Sequence, residues 1–120
     1  MTKHKHNRLV KKYLKNVKKF EQSVKNMRIA MAKCRSIKKY LKELNMSEVS
    51  QEYRKNIVLE YQNATLKAKA LNSEANALSL VIKDLISDLQ SDANYEEVEQ
   101  KTYNSNNSIL NEVNAEIIFM

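Results

Sequence analysis

The 120-residue chain contains no glycine, no proline and no tryptophan. An average chain of this length carries about a dozen Gly and Pro residues together. Glycine serves turns at positive φ and proline breaks regular structure, so losing both argues against turn-rich β and α/β folds. Few, long helices remain. Aromatic residues are also scarce, with Phe20 and Phe119 the only phenylalanines. A large aromatic core is therefore out of reach. A thin core of Leu, Ile, Val, Met and Ala suits a helical hairpin or bundle.

A single cysteine, Cys34, excludes an intramolecular disulfide and offers no metal-site spacing. No apolar run approaches the roughly 18 residues of a membrane span. The opening "MTKHKHNRLV" is charged and lacks the apolar segment of a signal peptide. The expected location is cytoplasmic, in the host cytoplasm or virion if the protein is viral. The three Asn-x-Ser/Thr sequons at Asn45, Asn63 and Asn106 then have no glycosylation role. Heavy Lys and Asn usage fits an AT-rich source such as a phage, a plasmid or a low-GC bacterium.

What is abundant is positive charge, and it is unevenly placed. Residues 1–45 hold fifteen Lys and Arg against two acids, Glu21 and Glu43, whereas residues 46–120 hold six against twelve. The halves therefore carry nets of +13 and −6. An anionic partner would meet the first half, as would the acidic half of this chain or another.

From Val10 the apolar residues run Val10, Tyr13, Val17, Phe20, Val24, Met27, Met31 and Cys34. Steps alternating three and four are the a/d pattern of a coiled coil. Lys38 breaks the register, and Ile37, Leu41 and Leu44 continue the stripe slightly displaced. The spacing predicts a basic helix over residues 7–44, preceded by a flexible basic tail over residues 1–6. Asn45 is a candidate left-handed cap and Ser47 a candidate N-cap for a second helix over residues 48–90.

That second segment repeats the pattern at Ile57, Tyr61, Ala64, Ala68, Leu71, Ala75, Leu78, Ile82, Leu85 and Leu89. Alanines at the seam let a neighbouring helix approach closely. Another stripe, through Leu59, Leu66, Ala70, Ala77, Leu80 and Val81, lies on a different face. A helix apolar on two sides is normally sandwiched, here by a third helix or a second subunit. Residues 92–120 form an acidic, then apolar C-terminal segment. Ser91 or Asp92 is its candidate cap, Glu96, Glu97 and Glu99 its acidic opening, and residues 102–108 a flexible loop. Ser108 would cap a last short helix bearing Ile109, Val113, Ile117 and Met120. The ending "AEIIFM" is too apolar to be left in water.

The expected fold is one all-α domain, a long antiparallel coiled-coil-like hairpin with one or two shorter C-terminal helices. Exposed apolar stripes on so thin a molecule imply self-association into a helical bundle.

Candidate chemistry is sparse. His4 and His6 alternate as metal ligands on a strand do, but lack a third ligand and read as part of a solvated tail. Cys34 sits between Lys33 and Arg35, yet occupies a d position and reads as a packed thiol. No glycine-rich phosphate loop or Ser-His-Asp set is available. Acid pairs such as Glu96/Glu97 and Asp84/Asp88 have ordinary helix-surface spacing. The reading is non-enzymatic, with no catalytic, metal or cofactor residues.

Cationic residues of the first helix are the remaining candidates. With Val10 at position a, Arg8, Lys11, Lys12, Lys15, Lys18, Lys19 and Lys25 fall at the outward b, c and f positions. Such a ridge can lie along a DNA or RNA backbone, without reading bases. The competing expectation is an assembly component, such as an adaptor, an inhibitor or a particle protein. It would use Leu59, Leu66, Leu80 and Val81 of the second helix, with Ile117, Ile118 and Phe119 at the C-terminus, to bind a protein partner.

Overall fold

A computed structural model describes residues 2–44, 48–91 and 98–120. Three helices follow in order: α1 over Lys3–Glu43, α2 over Gln51–Gln90 and α3 over Lys101–Ile117. The molecule measures 70 × 18 × 17 Å. α1 and α2 make the antiparallel hairpin, and α3 lies along it.

Helix α1 begins at Lys3, four residues ahead of the expected start, because Thr2 caps it. The Thr2 Oγ1 accepts from the Lys5 N–H at 3.2 Å, satisfying one of the donors every helix start leaves open. Residues 3–6 are thus helical, and the expected tail is shortened. At the other end Leu44 leaves the helix in an extended conformation, φ −68° and ψ 122°. The caps expected of Asn45 and Ser47 fall on residues outside those described. Helix α2 starts at Gln51, three residues later than expected, with the Ser50 Oγ accepting from the Tyr53 N–H at 3.1 Å. Across this end of the hairpin the Tyr40 and Tyr53 hydroxyls share a 2.7 Å hydrogen bond.

The heptad stripes do meet. Tyr13, Phe20, Val24, Met27, Met31 and Cys34 of α1 are buried, as are Ala64, Ala68, Ala75, Ile82, Leu85 and Leu89 of α2. Each large side chain so buried contributes roughly 1.5–3 kcal/mol. Cys34 packs as a small apolar residue at its d position. Seam positions toward the hairpin's end, Ile37, Ile57 and Tyr61, are only half-buried.

The largest departure from expectation is α3. Residues 102–108 are not a loop, and Ser108 is not a cap; both lie inside one helix. Five Asn residues in seventeen make this a poor helix by propensity. Tertiary partners offset that. Tyr103, Leu110 and Val113 are buried, with the Tyr103 ring 5.7 Å from that of Phe20. Asn107 Oδ1 accepts from Ser79 Oγ at 2.8 Å. Asn72 and Asn76 of α2 both donate to Asn114 Oδ1, at 2.8 and 3.0 Å. Asn72 is only 7% exposed, so these bonds replace water it has lost. Among the proposed opening acids, the Glu99 carboxylate accepts from the Thr102 N–H at 3.2 Å. Glu96 and Glu97 lie outside the described residues.

These contacts fix direction. Tyr13 meets Glu99 and Arg35 meets Glu116, so α3 runs parallel to α1. Ser79 meets Asn107 while Asn72 meets Asn114, so it runs antiparallel to α2. α3 therefore fills the groove between the two long helices. Among the described residues the second stripe of α2 stays uncovered, so α3 is not the helix that sandwiches it.

Candidate nucleic-acid interface

The α1 seam is anchored against α2 and α3, which decides where the rest of its circumference points. Arg8, Lys11, Lys12, Lys15, Lys18, Lys19 and Lys25 are all exposed. Lys11, Lys18 and Lys25 repeat every seven residues, so their Cα atoms rise ~10 Å apart along one line. Exposed Leu14 and Ile29 interrupt the cationic surface.

Charge within α1 opposes its own backbone. A helix start carries roughly +0.5 of an elementary charge, which favours acids there and disfavours cations. The first turn of α1 has no acid, and residues 3–25 hold nine Lys and Arg against Glu21 alone. Field from the backbone and field from the side chains add at the same end. An anion laid there would relieve both.

One acid of the second half pairs with a cation of α1 outside that stretch. Glu116 of α3 takes Arg35 in a two-pronged ion pair, with Nε–Oε1 at 2.8 Å and Nη2–Oε2 at 2.6 Å. Its carboxyl is held below the usual range, chiefly by those hydrogen bonds, against the opposing effect of partial burial. The Arg35 guanidinium is raised in turn by the same bonds. Arg28 and Glu112 line the groove beside that pair. Thus α3 brings its acids to α1 beyond the lysine ridge. Nearer the ridge, Glu74 of α2 shares a shallow groove with Lys19. Arg8 Nη2 lies 3.1 Å from His4 Nε2, one turn away on α1.

What this surface can do is limited. The first exposed aromatic of α1 beyond the ridge is Tyr40, fifteen residues after Lys25. No base-stacking platform therefore lies on the ridge, which leaves phosphate contacts as the available chemistry. Among the described residues, no three His, Cys, Asp or Glu side chains gather as a metal set. Nor is any described helix long and apolar enough to cross a membrane.

The apolar candidates separate into two groups. Leu59, Leu66, Leu80 and Val81 are exposed along α2, and Ile118 and Phe119 project from the end of α3. Ile117 instead packs against the intramolecular core, together with Met120. Charge patterning alone did not reveal the Arg35–Glu116 pair, because its partners are 81 residues apart. No protein-family model, curated protein or solved structure matches the chain.

Proposed function

We propose that this chain is a non-enzymatic nucleic-acid-associated protein that holds a DNA or RNA backbone along the exposed ridge of α1. The supporting observation is the excess of cations over residues 3–25, nine Lys and Arg against Glu21, on a helix whose first turn holds no acid. Lysines spaced along a straight helix meet successive phosphates without a requirement on sequence. Fluorescence anisotropy with a labelled duplex, titrated across salt, tests the reading. Affinity should fall with a log–log slope of about −0.9 per phosphate neutralised. Reversing Lys11, Lys15, Lys18 and Lys19 to Glu should abolish binding and leave the helical spectrum intact. Absence of binding at about 50 mM salt, or an affinity indifferent to salt, would overturn it.

A second reading, an assembly component, is supported by a separate observation. Leu66 is 67% exposed and Phe119 85%. A row of large apolar side chains on an otherwise polar helix face is what a protein contact uses.

A further inference from the structure

We infer that the outer face of α2 is the contact for a second copy of this chain, packed antiparallel and back to back. The inference deepens the assembly reading by naming its partner, and it is independent of the lysine ridge.

The outer face is itself a heptad seam. From Leu59 the positions follow steps of four and three through Asn63, Leu66, Ala70, Ser73, Ala77 and Leu80 to Asp84. Every one of these residues is exposed. The seam lies opposite the buried stripe of Ala64, Ala68, Ala75 and Ile82, since a helix with two heptad stripes half a turn apart presents them on opposite sides. Its large residues stand toward the two ends and its small ones, Ala70, Ser73 and Ala77, in the middle. Small central residues let two helix backbones approach closely.

Charge selects the occupant and its direction. Lys55 and Asp84 lie on this same face, one at each end, and both are exposed. An antiparallel pair with its two-fold axis between Lys69 and Ala70 sets Leu59 against the partner's Leu80 and Leu66 against the partner's Ser73. The same register sets Lys55 against the partner's Asp84, twice by symmetry. A parallel pair would instead oppose Lys55 to its own copy and Asp84 to its own copy, which repels at both ends. The antiparallel orientation thus gains two Lys55–Asp84 pairs that the parallel one lacks, while exposed Glu52 and Asp88 stand as like charges at the ends in either.

Sedimentation equilibrium without nucleic acid, over about 10–200 µM, should show dimer mass at the upper concentrations, as fits a narrow contact. Leu66→Asp should return the protein to monomer, and this residue is exposed enough to leave the fold unchanged by circular dichroism. In a Cys34→Ala background, an equimolar mixture of Leu59→Cys and Leu80→Cys chains should form a disulfide-linked dimer on mild oxidation. Leu59→Cys alone should not. A monomer at about 200 µM overturns the inference, as does efficient cross-linking of Leu59→Cys by itself. A dimer untouched by Leu66→Asp also overturns it, while leaving assembly through Ile118 and Phe119 standing.

Discussion

The Tyr13 hydroxyl donates a 2.7 Å hydrogen bond to the backbone carbonyl of Glu99, 86 residues away. Tyr13 is fully buried, so its hydroxyl has exchanged water for protein contacts that include this acceptor. The bond ties the segment leading into α3 to the first turns of the α1 seam. Replacing Tyr13 with Phe keeps the ring and removes the donor. A loss of about 1 kcal/mol is expected, read from the urea midpoint.

The polar seam between α2 and α3 should be more sensitive. Asn114→Ala removes the acceptor shared by Asn72 and Asn76. The nearly buried Asn72 amide then loses that acceptor, while Asn76 keeps the Asn72 carbonyl at 2.9 Å, and the expected cost is about 1–3 kcal/mol. Hydrogen exchange should show α3 amides losing protection before those of α1 and α2, since α3 alone depends on this seam.

Protonation should weaken α3 docking at low pH. The Glu116 carboxyl is depressed by Arg35, so its contribution is full above the ordinary glutamate pKa of about 4.3 and fades as pH falls through the lower folded value. Both side chains are substantially exposed, 55% and 40%, which limits the effect to below ~1 kcal/mol. Glu116→Gln should therefore lower stability slightly at pH 7 and not at pH 2. An unchanged difference across that range would remove the ion pair from the account.

The seam alanines set how closely α1 and α2 approach. Ala68 and Ala75 are fully buried, leaving no room for a longer side chain. Ala68→Leu or Ala75→Leu should destabilise the hairpin by about 1–3 kcal/mol through overpacking. Thermal melts followed at 222 nm check this.

If the dimer and the lysine ridge both hold, two ridges face away from each other across the back-to-back α2 pair. The protein should then join two duplexes instead of enclosing one. Light scattering of protein mixed with duplex should rise for the native chain and stay flat for Leu66→Asp. That variant should retain anisotropy binding to a single duplex.

Much of the hairpin was legible in residue spacing. Val10 to Cys34 and Ile57 to Leu89 each follow the heptad, and a chain with no Gly or Pro has few places to turn. The lysine ridge follows from the same register, because positions opposite a seam must face outward. The polar partners of α3 were not legible. Its apolar stripe, Tyr103, Leu110, Val113 and Ile117, runs at helical spacing but is diluted by asparagines that read locally as loop.

By itself, then, the sequence determined the all-α class, the buried faces of the two long helices and the separation of basic from acidic halves. These depend on periodicity and composition, which are local properties of the chain. Only the tertiary structure decided that residues 101–117 are helical, that Glu116 neutralises Arg35 and that the outer face of α2 stays open. Each of these rests on contacts between distant segments. Asn107 and Asn114 become acceptable in a helix once Ser79, Asn72 and Asn76 stand beside them. No local pattern records who those neighbours are.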